Sequence, residues 1–317
     1  MDSLVWIGKV IEISDIPNAD FIQAATIVCG AGGKWRGVIK KGELVKDAMC
    51  RVYLPDTIVP QTDEFAFMSK NKFRVKMQRL RGCPSEVLIL PYLAGLPVGT
   101  DITVGSGCFK YVKPMPAHLN GLAKGNFPSF IPKTDEPNYQ SSQELVDLLQ
   151  AHPYYVTEKC DGSSTTAYKY KGQFGVCSRN LELVENADNG YWKVANKYNL
   201  KETLPEGYAI QWETCGPGIQ SNPMGLSEID GFAFSVWDIE KRQYLEFKEL
   251  KEFCSSLKFP MAKVIATGTS YNNIDLTELA KGFYENHKPS EGVVVRSAHH
   301  IHDRIISFKS INLDYKD

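Results

Sequence analysis

Several things are scarce or missing in this 317-residue sequence. Its eight cysteines lie far apart and form no C-x-x-C pair, which excludes the spacing of a structural zinc site and argues against a disulfide scaffold. Reduced thiols in a cytosol-like compartment are expected instead. Long apolar runs are lacking too: the most apolar stretch, Val87 to Val98, is broken by Pro91 and Pro97, and the opening MDSLVWIGKV has an acidic residue and no basic n-region. Neither a transmembrane helix nor a secretory leader is expected, so the expected location is cytoplasmic, with no membrane partner. Net charge is close to nil, at −1, and gives no sign of a polyanionic partner. Repeats and low-complexity tracts are absent as well. With 43% hydrophobic and 23% charged residues, the composition is that of a folded chain long enough for about two domains.

Charge is present locally. From Lys70 to Arg81, KNKFRVKMQRLR holds six basic residues and no acidic one. Lys70, Lys72, Arg74 and Lys76 alternate with Asn71, Phe73, Val75 and Met77, and period two predicts that the four cations share one face of a strand. On charge alone, such a face serves either as a solvated sheet surface or as a contact for a phosphate backbone.

The first hundred or so residues read as short strands separated by turns: Leu4 to Ile13, Phe21 to Val28, Trp35 to Ile39, Met49 to Leu54, Phe73 to Arg79 and Val87 to Leu90. That pattern predicts a small all-β barrel or sandwich. Gly30 to Gly33, GAGG, lacks the strand-helix context and the lysine of a phosphate loop and reads as a hairpin turn. Lys113 to Ala117, KPMPA, is the expected linker, dividing the chain into domains 1–115 and 116–317. The second domain mixes hairpin-linked strands with helices, an α+β pattern with antiparallel sheets. Its expected strands are Tyr154 to Glu158, Ser164 to Tyr170, Gln173 to Ser178, Tyr208 to Glu213, Gly231 to Asp238, Gly292 to Arg296 and Ile305 to Lys309. Helices are expected from an N-cap at Ser141 through Gln150, and over Tyr191 to Tyr198, Phe247 to Leu257 and Asp275 to His287.

Within that domain, TEKCDGSSTTAYKY puts Lys159 beside an Asp161-Gly162 turn, between two strand-like segments, so Lys159 should stand where a strand ends. A K-x-D-G match is weak alone, arising by chance in roughly one chain of this length in ten. Its sequel is more specific: SRN at Ser178, IQWETCGPGIQSNP from Ile210, GFAFSVWDI from Gly231, EGVVVR from Glu291 and SFKSIN from Ser307. In this order the six segments resemble motifs I, Ia, III, IIIa, IV and V of the covalent nucleotidyltransferases, the superfamily of polynucleotide ligases and mRNA capping enzymes. KCDGSS, followed by SRN and GPGIQ, is similar to the ATP-dependent RNA ligases. The opening GKVIEISDIPNAD and GKWRGVIKKGE resemble an OB-type barrel. A barrel placed first, then KTDE, then the catalytic domain, resembles the fifth RNA-ligase family.

The resemblance implies a function and a site. The activity would be joining of RNA 3′-hydroxyl and 5′-phosphate ends, as in RNA repair on a nicked duplex, through lysyl-AMP and adenylylated RNA, with ATP and Mg²⁺ or Mn²⁺. Lys159 would be the nucleophile, its proton released with help from a nearby cation, Lys309 or a metal. Asp161, Glu213 and Glu291 offer the oxygen ligands or water anchors that Mg²⁺ prefers. Lys309 would neutralise charge on the α-phosphate, Phe234 would stack on adenine, and Glu158 would accept from its amino group. Phe234 is expected to share a strand face with Phe232 and Val236. Gly162 belongs to the nucleotide-binding turn. Arg179 would meet a phosphate or ribose, Ser163 and Ser164 would be small donors near the incoming 5′-phosphate, and Lys70, Lys72, Arg74 and Lys76 would meet the nucleic acid. Motif V departs from the family pattern, since Ser307 and Ile311 stand where a second lysine is common. The alternatives are a capping-type guanylyltransferase or DNA ligase, disfavoured because the chain ends eight residues past Lys309, and a catalytically retired RNA-binding protein. His299, His300 and His302, in AHHIHDR, read as a loop or hairpin tip.

Overall fold

The computed structural model describes residues 3–30, 33–111, 121–272 and 274–315. Packing divides the chain into two units, Met1–Pro114 with Gln140–Glu144, and Met115–Tyr139 with Leu145–Asp317. The expected linker, Lys113 to Ala117, lies outside the described residues.

In the first unit the long strand Val5–Asp15 pairs along its start with Met49–Tyr53 and along its end with Ile22–Cys29, with a bulge between Val10 and Glu12. A strand that changes partners part-way, and twists at a bulge, curls its sheet. Gly33–Lys40 and Leu88–Pro91 complete a five-stranded antiparallel sheet. Alternation builds its inner face: Trp35 and Ile39 are buried while Lys34, Arg36 and Lys40 point outward, and Ile27, Cys50, Val52 and Ile89 fill the same core. Cys29 lies opposite Gly33, as a hairpin at GAGG requires, although Ala31 and Gly32 are outside the described residues.

The basic strand is not there. Asp63–Asn71 is a 3-10 helix whose Phe65 and Met68 are buried, and within Lys70 to Arg81 the one strand is Gln78–Leu80, with Arg74 in an isolated bridge to Ile58. Lys72 and Phe73 both have positive φ, 53° and 58°. Two consecutive left-handed residues reverse the chain, so Lys70, Lys72, Arg74 and Lys76 cannot share a period-two face. Lys70, Lys72 and Lys76 are exposed. Arg74 is half-buried: it donates to Asp56 from Nε (3.0 Å) and Nη2 (2.6 Å) and lies 3.8 Å above the Tyr111 ring.

The second unit holds two antiparallel sheets. Ser163–Tyr170, Gln173–Ser178, Tyr208–Cys215 and Asp230–Asp238 belong to a seven-stranded sheet; Val264–Gly268, Tyr154–Glu158, Gly292–Ser297 and Ser307–Ile311 form a four-stranded one. The first two strands close over Lys171 and Gly172, both at positive φ, the two-residue turn that suits the twist of a hairpin. One face of the larger sheet packs Trp212, Ala233 and Val236 against Trp192 and Val194 of helix Gly190–Lys197 and Leu250 of helix Phe247–Ser256. Asn189 caps the first helix, accepting from the Tyr191 and Trp192 amides; a Glu246–Glu249 capping box starts the second. In the smaller sheet Val156, Val293, Val295 and Phe308 pack against Leu149, Tyr271 and Leu276.

Four expectations change here. The strand expected over Ile305 to Lys309 spans Ser307–Ile311. The helix expected from an N-cap at Ser141 spans Gln143–Leu149, because Tyr139–Ser141 is already a 3-10 turn. The helix expected over Asp275 to His287 is a single turn, Leu276–Leu279, after which Gly282 and a bend over Tyr284 to Lys288 divert the chain. Phe234 does not share a face with Val236: Gln211 pairs with Ser235 and Trp212 with Ala233, so Phe234 is the extra residue of a bulge and Val236 joins Ala233 in the core. All eight cysteines are free and six are buried. Among the described residues no helix is long and apolar enough to cross a membrane.

Candidate active site

Directly opposed residues in a sheet share a face. Tyr155, Arg296 and Ser307 form one such row of the four-stranded sheet, and Thr157, Val294 and Lys309 the next, on the side away from its core. In the larger sheet Ser164, Glu213 and Phe232 align, as do Thr166, Gln211 and Ser235, again on the face away from the helices. Residues 132–138 connect the two polar faces. Pro132 O accepts from Gln211 Nε2 (2.9 Å), the Thr134 and Ser164 hydroxyls are 3.2 Å apart, and Asp135 accepts from Arg179 Nη2 (2.8 Å). Glu136 accepts from Arg296 Nη2 (2.6 Å), and Pro137 O from the Lys309 amide (2.9 Å). This segment has no periodicity, and only KTDE within it attracts notice in the sequence.

Lys159 follows directly on the strand Tyr154–Glu158, as expected. Its Nζ lies 2.7 Å from Glu291 Oε1, the two side chains being 23% and 21% exposed. The turn after it is forced close to the neighbouring strand: a Cβ on Gly162 would lie 2.3 Å from Thr214 O and 2.7 Å from Cys215 Sγ, so only glycine fits. Asp161 accepts a hydrogen bond from the Tyr315 hydroxyl.

Charge in this cluster is unbalanced towards the acids. Burial and the nearby carboxylates Glu291 and Asp161 push Glu213 up to about 8, although Lys159 opposes the shift. Burial also raises Glu291, and here it outweighs the ion pair with Lys159. Burial pulls the Lys159 ammonium down, but Glu291 and Glu213 more than offset it, so the amine holds its proton more tightly than a free lysine does. The cation expected to ease proton loss from Lys159 is therefore opposed here by two carboxylates. Lys309 is lowered, by burial first and by repulsion from Lys159 second. Glu136 is raised by burial but held below its ordinary value by Arg296.

Among the described residues no three His, Cys, Asp or Glu side chains converge closely enough to ligate one metal ion directly. The excess of buried carboxyls, with Glu213 retaining a proton near neutrality, fits a hydrated divalent cation held through water. Phe234 stands in the wall of a cavity of about 210 Å³ together with Thr134, Glu136, Tyr155, Tyr244 and Arg296. Arg296 Cζ is 5.6 Å from the Phe234 ring centre. Lys159, Glu213 and Lys309 are not part of that wall. Glu158 is half-buried, with Lys263 and Glu285 as charged neighbours and a raised carboxyl. Arg179 and its partner Asp135 are largely exposed. His299 and His300 lie in the turn after Gly292–Ser297, where both engage Glu246. The sequence reading missed Glu136, Arg296 and Tyr284; the first two were legible only as a charged residue in KTDE and the end of EGVVVR.

A model of the RNA ligase family matches residues 152–311, just over half of the chain, and a model of an OB-fold domain matches residues 4–92. Solved structures of Naegleria gruberi RNA ligase are similar over nearly all of both chains. A mutant of that enzyme with ATP and Mn has a TM-score of 0.82 at 29% identity, covering 98% of this chain and 97% of that one. Another mutant, with AMP and Mn, gives the same figures, and the enzyme with PPi a TM-score of 0.80 at 29% identity over the same shares. No curated protein matches the chain. The curled N-terminal sheet is an OB fold, and the α+β arrangement of the second unit matches that of the solved ligase.

Proposed function

The chain belongs to the RNA ligase family, and from that premise we propose that it joins an RNA 3′-hydroxyl to a 5′-phosphate, using ATP, through lysyl-AMP on Lys159 and then adenylylated RNA. The observation that carries the reading is the Lys159–Glu291 pair at 2.7 Å, set at a strand end with Glu213 and Lys309 as titratable neighbours. Lys159 Nζ attacks the α-phosphorus in line with departing pyrophosphate. Glu291, in contact with Nζ and more basic than an ordinary carboxylate, takes up the proton that must leave first. Asp161, Glu213 and Glu291 would hold Mg²⁺ or Mn²⁺, which when bound supplies positive charge to the triphosphate and to the acid cluster. Lys309 neutralises charge on the α-phosphate.

Phe234 is the adenine stacking partner in this reading, supported by its release from the strand at a bulge and its place in a cavity wall. Glu158 accepts from the adenine amino group. Arg179, Ser163 and Ser164 receive the 5′-phosphate, Arg179 by exchanging Asp135 for it. Adenylylation resides in 116–317 and RNA engagement extends to 1–115, where the exposed Lys70, Lys72 and Lys76 serve as phosphate contacts while Arg74 is committed to Asp56. Free thiols throughout are consistent with work in the cytoplasm, in repair of nicked duplex RNA.

Incubation with labelled ATP, then labelled GTP, followed by a denaturing gel, tests the reading: label from ATP alone is expected. Label from GTP in preference would point to a capping-type reaction, and no label from either to a retired enzyme. A second test concerns the polymer. A nick ending in 3′-ribose should be sealed about tenfold faster than one ending in 3′-deoxyribose, the worth of roughly one hydrogen bond to the 2′-hydroxyl. Equal rates would remove the assignment to RNA.

A further inference from the structure

The ladder between Tyr154–Glu158 and Gly292–Ser297 ends at Glu158 opposite Val293. Beyond that rung, Lys159 and Glu291 have left the sheet, although the Lys159 amide still reaches Gly292 O at 2.9 Å. Besides the Lys159–Glu291 ion pair, a side chain from elsewhere in the unit ties the backbones of the two segments together there. The Tyr284 hydroxyl, on a residue only 3% exposed, donates to Lys159 O (3.0 Å) and accepts from the amides of Asp161 (3.2 Å) and Glu291 (3.2 Å). One donor and two acceptor sites are all that a hydroxyl has, and all three are used. A second tyrosine reaches the same turn from the far end of the unit, Tyr315 donating to the Asp161 carboxylate.

We propose that Tyr284 is a positioning residue for the nucleotidyl transfer step, its hydroxyl fixing the backbone of Lys159, Asp161 and Glu291 in one frame, with Tyr315 as the second anchor of the turn. This rests on the lysyl-AMP reading above. Removing the hydroxyl leaves two amides and a carbonyl without their partner, and the Lys159–Glu291 geometry is no longer imposed from the backbone. Misplacement of this kind acts on the rate at saturation and leaves the binding of ATP, made through other groups, little changed.

The test measures lysyl-AMP formation at saturating labelled ATP in the full chain for wild type, Tyr284→Phe, Tyr315→Phe and their double variant. Tyr198→Phe is the control, removing a hydroxyl that donates to Asp230 at 2.7 Å elsewhere in the same unit. Tyr284→Phe should slow the saturating rate by about tenfold to a hundredfold while the half-saturating ATP concentration shifts less than about threefold. Tyr315→Phe should slow it less, and the double variant by less than the product of the two, because both act on one turn. Tyr198→Phe should keep the wild-type rate even if its melting temperature falls equally. A Tyr284→Phe effect confined to half-saturation, or equal slowing in Tyr198→Phe, overturns the inference. If Tyr284→Phe does not fold, an unchanged saturating rate in Tyr315→Phe overturns it. Label on wild type with an unimpaired Tyr284→Phe rejects the inference alone; no label on wild type rejects the lysyl-AMP reading and the inference with it.

Discussion

Lys159→Arg and Lys159→Ala should both lose transfer of label from ATP to protein, falling to background on a denaturing gel. The paired result carries the argument. Arginine keeps the positive charge opposite Glu291, yet its guanidinium stays protonated and has no nucleophilic lone pair, so charge without nucleophilicity must fail. Both variants should still seal an RNA supplied already adenylylated, since that step needs no lysine nucleophile. Labelling of either variant would place the nucleophile elsewhere. The alanine variant should also be the less stable of the two at alkaline pH, because Lys159 is the cation that opposes the upward shift of Glu213.

Glu213→Gln should abolish sealing and yet stabilise the metal-free protein at high pH. Glu213 is raised, chiefly by burial, from 4.5 to about 8. A carboxyl whose folded pKa lies above its unfolded one contributes its full stability below about 4.5, and that contribution is lost as pH rises through about 8. By pH 9 the loss is on the order of a few kcal/mol, from 1.36 kcal/mol per unit of pKa. Glutamine has no proton to lose. Thermal unfolding without divalent ions, from pH 5 to pH 9, should therefore show the variant gaining on wild type as pH rises, by several degrees at the upper end. A difference independent of pH would sink the idea. Added Mg²⁺ or Mn²⁺ should recover part of the wild-type loss and do little for the variant, the expected trade between stability and function at a site built to hold charge.

How far the sequence discloses this molecule depends on whether a feature is periodic. Trp35 and Ile39 alternating with Arg36 and Lys40, and the turn at Lys171-Gly172, are written in local pattern and local backbone preference, and the strands built on them match. Lys159 at a strand end is legible for the same reason. Alternation misleads where backbone geometry overrides it. KNKFRVK alternates in sequence, yet the left-handed pair Lys72-Phe73 turns it into a helix end, and one unpaired residue at Phe234 inverts the remainder of its strand. Neither residue type signals such a departure. Residues 132–138 and Tyr284 lie deeper still, because their role is to meet groups distant in sequence: Tyr284 reaches back to Lys159, and Pro132 forward to Gln211.

The pairing of Tyr154–Glu158 has a consequence during synthesis. Its neighbours in the sheet, Val264–Gly268 and Gly292–Ser297, are translated roughly 110 and 140 residues later, and Ser307–Ile311 later again. At about 5 to 20 residues per second, the growing polypeptide waits on the order of ten seconds with this edge open. Until residues 291 and 309 are made, Lys159 has neither Glu291 nor Lys309 beside it, and no local contact can stand in for them. A chain that stalls before Ser307–Ile311 therefore lacks Lys309 and leaves Gly292–Ser297 as an open edge, so its candidate site is incomplete until the last strand is made.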